Sequence, residues 1–226
     1  MQAIEGFLAL MEKGGFVMWP LLSLSVLSLA LSVERAVFWS RVAGPAARQR
    51  VNRLMEDLRR GRRDEVVRMC EGSPQPEMMV ALRMAIDGAD DGVAMAAAEL
   101  QRHRLERFSV VLSTIITASP MVGILGTVIG IIKSFQVLGT QTQLADPRGV
   151  SGGIGEALIT TASGLAVALI TLFPYMAFKG LADRAMGRME SVIAAAQTGL
   201  PRRPVLDEPP RAAAAVITPA APAATQ

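Results

Sequence analysis

The sequence has little cysteine, histidine, aromatic side chain or charge. A single cysteine, Cys70, excludes an intrachain disulfide and a cysteine-based zinc site. A single histidine, His103, excludes a multi-histidine metal centre and argues against histidine-driven catalysis. Charged residues make up 19% of the 226 residues and aromatic residues 4%, whereas an ordinary soluble domain has about 25% charged residues. Just over half of the residues (51%) are hydrophobic, and a length of 226 residues allows one soluble domain or a few membrane spans with a small polar region.

The placement of the few charges decides between these two possibilities. Three stretches of 18, 25 and 22 residues carry no charge: 16–33, 108–132 and 157–178. A membrane-spanning helix needs about 20 apolar residues, and a buried helix of a soluble core would rarely run that long without a charge. The sequence therefore predicts an all-α membrane protein with three transmembrane helices and long cytoplasmic helical extensions. The predicted transmembrane helices cover residues 16–39, 108–135 and 156–178.

The first span could alternatively be a cleaved signal peptide. Such a peptide has a basic segment before its apolar run and a small-residue cleavage site after it. Here the segment before the apolar run contains two acidic residues, Glu5 and Glu12, and one basic residue, Lys13. The run ends in Glu34 and Arg35 rather than in a small-residue cleavage site. We therefore expect the first helix to be retained.

The basic residues outside the spans are unevenly distributed. Lys and Arg number one in residues 1–15, thirteen in 40–107, two in 133–156 and six in 179–226. Because basic residues concentrate on the cytoplasmic side of a membrane, we expect the long loop and the C-terminal segment to be cytoplasmic, and the N-terminus to be on the outer side. The same rule explains the arginines of the long loop, so a nucleic-acid partner is not expected.

The segments beside the spans divide into further units. Residues 1–15 are predicted to form a periplasmic amphipathic segment, 40–107 a cytoplasmic helical loop and 136–155 a periplasmic loop. Residues 179–199 should continue the third helix into the cytoplasm. The proline- and alanine-rich tail, residues 200–226, should be disordered.

Within the long loop, apolar spacing predicts several short helices. A basic helix pair should break at Gly61, and residues 73–76 should form a turn before a helix over 77–87. A further helix should start near Val93, with Asp90 and the next residue as candidate caps. No helix-breaking residue separates it from the second span, so we expect one long helix to run from the cytoplasm into the membrane.

Small residues lie on one side of each of the last two spans: Gly123, Gly126 and Gly130 in the second, and Thr160, Gly164 and Ala168 in the third. Such faces permit close packing of membrane helices. Pro120 is expected to kink the second helix. Hydroxyls such as Thr127 and Thr161 could line a narrow wet path, or each could bond a carbonyl of its own helix one turn back. Composition leaves both interpretations open.

Signs of an enzyme are weak. The glycines near Lys133 do not match a phosphate-binding loop, because this lysine does not directly follow a glycine. The sequence contains no Ser-His-Asp set and no pair of carboxylates at membrane depth. Cys70 on a cytoplasmic helix is interpreted as a packing residue rather than a nucleophile. We therefore predict a non-enzyme with no cofactor and no metal site.

Two blocks of sequence resemble a known family. Residues 118–130 read ASPMVGILGTVIG and residues 153–165 read GIGEALITTASGL. These blocks and their spacing resemble the MotA/TolQ/ExbB proton channel family, whose patterns are A-x-P-x-x-G-L-L-G-T-V and G-I-x-E-A-L-x-x-T-A-x-G-L. Three spans with a long loop between the first two resemble the ExbB/TolQ branch rather than the four-span flagellar stator subunit.

The resemblance implies a function and a set of site residues. Family members form a pentamer in the bacterial inner membrane around the single helices of an ExbD/TolR-like partner, and proton flow drives motion that a TonB- or TolA-like protein can receive. The two pore threonines of the family correspond to Thr127 and Thr161. The carboxylate at the outer end of its third helix, at the mouth of the pathway, corresponds to Glu156.

The chain departs from the family pattern at four positions. The family often has a proline nine residues after the second threonine, where this chain has Ile170, and a proline stands instead at Pro174. An asparagine often follows the next tyrosine, where this chain has Met176, and Lys133 adds a positive charge at the outer end of the second helix. These departures leave the motor interpretation intact.

Two other classes of function are weighed against a proton-driven motor subunit. A non-conducting membrane scaffold would only assemble a transport complex and would need no polar path. A membrane-embedded enzyme would need a catalytic group at membrane depth, and the uncharged spans supply none. Thr127 and Thr161 at the family positions favour the motor.

Overall fold

The computed structural model describes residues 14–42, 45–140 and 147–201, with the single positions Glu5 and Met11. These residues form helices and no strand, in the order α1 Met18–Val42, α2 Pro45–Arg59, α3 Arg63–Cys70, α4 Pro76–Asp87, α5 Asp91–Leu105, α6 Ser109–Thr140 and α7 Pro147–Gly199. The predicted all-α class is confirmed. The predicted amphipathic segment 1–15 and the tail 200–226 lie mostly outside the described residues.

Three of these helices are long and apolar enough to cross a membrane: α1 over Met18–Val42, α6 over Ser109–Gln136 and α7 over Ser151–Gly199. The three uncharged stretches therefore identify the three candidate spans. Helices α6 and α7 both extend into residues 136–155, for which the sequence predicts a loop. Pro147 suits the first position of α7, because its fixed φ matches a helix and that position needs no N–H donor.

Helix α7 contains 53 residues and is therefore about 80 Å long at 1.5 Å per residue. Its first half packs against α6, and its second half packs against α2 and α4. The predicted continuation of the third span over residues 179–199 is thus present as uninterrupted helix. One uninterrupted helix therefore takes part in both packing regions.

The second half of α7 forms one wall of a helical bundle. The fully buried side chains there follow the apolar spacing of the sequence: Leu54, Leu58, Val66, Cys70, Met78, Val80 and Met84 from the loop helices, with Ala185, Met189, Val192 and Ala196 from α7. Glu77 is also buried, and its Oε1 accepts a hydrogen bond of 2.5 Å from Nε of Arg188 on α7. This pair ties α4 to α7 within the apolar core.

The helix break predicted at Gly61 is confirmed. Gly61 has φ of +69°, a left-handed conformation that glycine adopts without steric cost, and it joins α2 to α3. The end of α7 lies directly against this junction. A side chain at Gly199 would overlap the carbonyl of Leu58, so glycine is required for this close approach.

The predicted continuous helix from near Val93 into the second span is wrong. Helix α5 ends at Leu105, α6 begins at Ser109, and Phe108 between them has φ of +65°. The physical reason is a side chain from α1. Arg35 donates hydrogen bonds to the last carbonyls of α5, which a continuing helix would have used for its own N–H groups.

Candidate functional site

The first half of α7 and α6 form an antiparallel pair whose contact consists of small residues. A methyl group added at Gly126 would overlap the side chain of Thr160, and one added at Gly164 would overlap the carbonyl of Ser119. A methyl group at Gly123 would lie 3.0 Å from the carbonyl oxygen of Thr160. The backbones of the two helices therefore approach closely, as small faces permit in a membrane.

The same contact continues along the pair toward the C-terminal end of α6 and the N-terminal end of α7. A methyl group at Gly130 would lie 2.8 Å from both the carbonyl oxygen of Gly153 and Cβ of Ala157. Ser134, also buried, donates a hydrogen bond of 2.9 Å to the carbonyl of Gly130. Pro120 lies inside α6, which is assigned as one uninterrupted helix over Ser109–Thr140.

The two threonines of interest make different hydrogen bonds. Thr127 Oγ1 donates to the carbonyl of Ile124 at 2.6 Å, one turn back in its own helix. Thr161 Oγ1 donates across the pair to the carbonyl of Gly123 on α6, at 3.0 Å. The self-bonding interpretation of membrane threonines therefore describes Thr127 but not Thr161. Both side chains are partly exposed in the single chain.

Helical geometry places both threonines on the same flank of the pair. Gly126 contacts Thr160 at the centre of the interface, and Thr127 and Thr161 each follow these residues by one position. One position is about 100° of rotation. Because the helices run in opposite directions, equal rotations along the two chains bring both side chains to the same side. This threonine flank, Thr127 and Thr161, is the candidate functional surface.

Glu156 lies on the opposite flank. Five residues separate it from Thr161, which corresponds to about 140° around α7. Its Oε1 accepts a hydrogen bond of 2.7 Å from Nζ of Lys133, which joins the C-terminal part of α6 to the N-terminal part of α7. A side chain at Gly15, three residues before α1 begins, would overlap the Glu156 carboxylate. The start of α1 thus lies beside Glu156, across the pair from the threonine flank.

The chemistry available on the threonine flank is limited to hydroxyl groups and backbone. Residues 109–132 of α6 and residues 157–178 of α7 include no Asp, Glu, Lys, Arg or His. Within the described residues no cluster of His, Cys, Asp or Glu is arranged to hold a metal ion. Threonine hydroxyls can donate and accept hydrogen bonds but do not titrate near neutral pH. The flank can therefore orient water or a carboxylate, but it cannot itself carry a proton.

Cys70 shows no sign of reactivity. Its side chain is fully buried in the bundle core. Burial disfavours the charged thiolate and raises the pKa of Cys70 to about 12. The interpretation of this cysteine as a packing residue agrees with its surroundings.

The sequence reasoning missed Arg35, the most buried arginine among the described residues. It lies on α1 with 3% of its surface exposed, whereas in the sequence it stood out only as a charge at the end of the first uncharged run. A signal was present in the sequence: the apolar residues Val37, Phe38 and Trp39 follow it. An arginine inside an apolar run must find several acceptors, which is a reason to expect long-range hydrogen bonds.

Comparisons with known proteins agree with this arrangement. A family model described as the MotA/TolQ/ExbB proton channel family matches residues 77–191. The chain is similar to the ExbB-like 3 biopolymer transport protein of Synechocystis sp., with 35% identity over 74% of this chain and 82% of that protein. It is also similar to the biopolymer transport protein exbB1 of Vibrio cholerae, with 28% identity over 84% of this chain and 86% of that protein.

A third relative represents the Tol branch. The chain is 39% identical to the Tol-Pal system protein TolQ of Pseudomonas aeruginosa over 105 residues, which cover 45% of each chain. The family match covers the helices that carry Thr127, Glu156 and Thr161. With three apolar helices, a small-residue contact between α6 and α7 and relatives of both branches, the chain belongs to the MotA/TolQ/ExbB proton channel family.

Proposed function

We propose that this chain is the stator-like channel subunit of an inner-membrane motor, which works with an ExbD/TolR-like single-span partner. Its family and relatives support a general energy-transduction role of the ExbB/TolQ type. The finer proposal is that the complex converts the proton motive force into mechanical work on the cell envelope. A TonB- or TolA-like protein would receive that work.

The observation that carries the proposal is the threonine flank. Thr127 and Thr161 present two polar side chains on one flank of the helix pair, and both are partly exposed in the single chain. An isolated charge at the bilayer centre costs at least about 2.5–3.5 kcal/mol. A carboxylate of the partner helix would be favoured beside these hydroxyls and could carry the proton that this chain cannot.

The assembly we propose follows from the same surfaces. Large apolar side chains are exposed on the outward faces of α6 and α7, among them Met121, Leu158 and Phe173, and they would meet lipid or neighbouring copies in a homopentamer. The contacts at the glycines of α6 would set the spacing of the two helices, and Pro120 would bend α6. With the N-terminus periplasmic and the C-terminus cytoplasmic, the Lys133–Glu156 pair would lie at the periplasmic end of α6 and α7, on the flank away from the threonines. The role of Glu156 at the mouth of the pathway stays a prediction.

A non-conducting scaffold is the second candidate. The observation in its favour is that both threonine hydroxyls already donate to backbone carbonyls, so neither hydroxyl is committed to water or to a partner. A scaffold would still bind the one-span partner, but the bound complex would not pass protons.

Reconstitution separates the two candidates. The full chain, alone and with an ExbD/TolR-like one-span protein, is placed in liposomes that contain a pH-sensitive dye. The motor predicts proton flux only when both proteins are present. Flux from this chain alone would contradict the assignment of the proton carrier to the partner. A stable complex without flux would favour the scaffold.

A further inference from the structure

Arg35 on α1 is a buried cation with an unusual set of partners. Its Nη1 donates to the carbonyls of both Arg104 and Leu105 at 3.1 Å, and its Nε donates to Glu34 at 3.1 Å. The guanidinium also lies 4.5 Å from the ring centroid of Phe38. Burial of a charge is unfavourable unless its donors are satisfied, so these contacts fix the guanidinium in one place.

The carbonyls that Arg35 binds belong to the last residues of α5. Immediately after them, residues 106–108 form an elbow that redirects the chain into α6. Phe108 in this elbow has φ of +65°, which is unfavourable for a residue with a bulky side chain. Such a conformation persists only where the surroundings hold it, and the Arg35 guanidinium lies 5.9 Å from the Phe108 ring centroid.

The elbow has free space beside it. A cavity of about 220 Å³ lies between the elbow and α7, with Arg35, Leu105, Ser109, Tyr175 and Phe178 among its lining residues. Close-packed neighbours therefore do not fix the elbow on this side. Backbone hydrogen bonds and an Arg102–Glu106 ion pair act within the elbow, whereas the hydrogen bonds from Arg35 connect its start to another helix and would oppose a change in the angle between α5 and α6.

We propose that Arg35 is a positioning residue that holds this elbow at one angle. Helix α6, which carries Thr127, then keeps a fixed orientation relative to the helical bundle outside the membrane. The orientation of the threonine flank toward the partner depends on this angle. The part of the proposal that concerns proton flux rests on the proposed motor function, whereas the part that concerns the elbow does not.

Hydrogen exchange of the purified complex tests the elbow directly. Within the elbow the amide of Glu106 donates to the Arg102 carbonyl at 2.9 Å, and the amide of Ser109 donates to the Glu106 carbonyl at 2.9 Å. Arg35→Met should raise the exchange rate of these amides on the order of ten-fold or more, because it leaves the helix-terminal carbonyls without their charged donor. Arg35→Lys keeps the charge but not the planar fork, so its rates should lie between those of the parent and Arg35→Met.

A matched control separates this role from a general effect of charge. Arg41→Met removes an exposed arginine from the same helix and should leave exchange at the elbow unchanged. If Arg35→Met also leaves it unchanged, or if Arg41→Met raises it equally, Arg35 does not hold the elbow and the proposal is overturned.

Proton flux with the one-span partner, measured in the same liposomes, tests positioning. Arg35→Met should lower flux at least several-fold while the complex still purifies intact, Arg35→Lys should recover part of it, and Arg41→Met should retain it. Faster exchange at the elbow with undiminished flux would overturn the positioning role. A parent complex without flux would instead count against the motor function, and exchange would still decide whether Arg35 holds the elbow.

Discussion

The two halves of α7 pack by different physical means. The outer half meets α6 through Gly153, Ala157, Thr160 and Gly164, where backbones approach until an added methyl group would overlap the neighbour. The inner half packs into a bundle core in which large apolar side chains from the loop helices, such as Leu54 and Met84, meet its own fully buried Met189. The sequence of a single uninterrupted helix therefore changes its packing chemistry along its length.

In the topology proposed above, the outer half of α7 lies in the membrane and the inner half in water, which accounts for the difference. In a membrane, lipid tails are as apolar as the side chains, so helices gain little from burying them and associate through close backbone contact instead. In water, burial of apolar area itself stabilises the fold by about 25 cal/mol per Å². The outer half should therefore tolerate removal of side-chain atoms better than addition, and the inner half should show the opposite.

The largest expected effect comes from adding a side chain to the outer half. Gly164→Leu places atoms against the carbonyl of Ser119, where backbone rather than a flexible side chain would have to move. We expect a cost above the ~1–3 kcal/mol of ordinary overpacking and loss of the stable oligomer in size-exclusion chromatography. Gly155→Leu is the control, because a methyl group there has no neighbour within 4 Å. Equal oligomers from both variants would show that the close approach does not matter.

Removal of a side chain from the inner half should have the next largest effect. Met189→Ala leaves a cavity in the bundle core and should lower the free energy of unfolding by about 2–5 kcal/mol, measured by urea denaturation followed by circular dichroism. Glu190→Ala, on the exposed side of the same turn, should change it little. A Met189→Ala variant as stable as the parent would mean that this half does not depend on apolar burial.

The ion pair at the outer end should contribute least. Lys133 is 49% exposed and Glu156 23%, and exposed pairs typically stabilise by about 0–1 kcal/mol. Lys133→Glu should therefore lower the unfolding temperature only slightly, and the swap Lys133→Glu with Glu156→Lys should restore it. An unfolding temperature that the swap lowers further would contradict a direct attraction between these two side chains.

The sequence predicts the elements of this fold better than their contacts. Uncharged stretches identify the three spans because the cost of a charge in lipid acts on each helix separately. The helix break at Gly61 is also determined locally, because it depends on the positive φ of this one residue. The elbow at Phe108 was not predictable in this way, because it depends on Arg35, which is 73 positions earlier in the chain.

In the candidate site, too, the sequence predicts features within each helix but not the contacts between helices. Helical periodicity places Thr127 and Thr161 on defined faces of their own helices, and the resemblance to the family supplies their proposed role. Periodicity does not give the relative axial position of two packed helices, and so it does not say which residues of one lie opposite which residues of the other. The hydrogen bond from Thr161 to Gly123 and the ion pair of Lys133 with Glu156 depend on that axial position, and only the structure shows them.

The most direct test of the motor account is proton flux through the complex with its one-span partner after removal of the threonine hydroxyls. Thr127→Val with Thr161→Val nearly preserves shape and removes only the polar groups of the threonine flank. The account predicts an intact complex with flux reduced at least ten-fold, equivalent to about 1.4 kcal/mol or more. Thr117→Val, which removes an exposed hydroxyl bonded within α6, should retain flux. Full flux from the double variant would contradict the account.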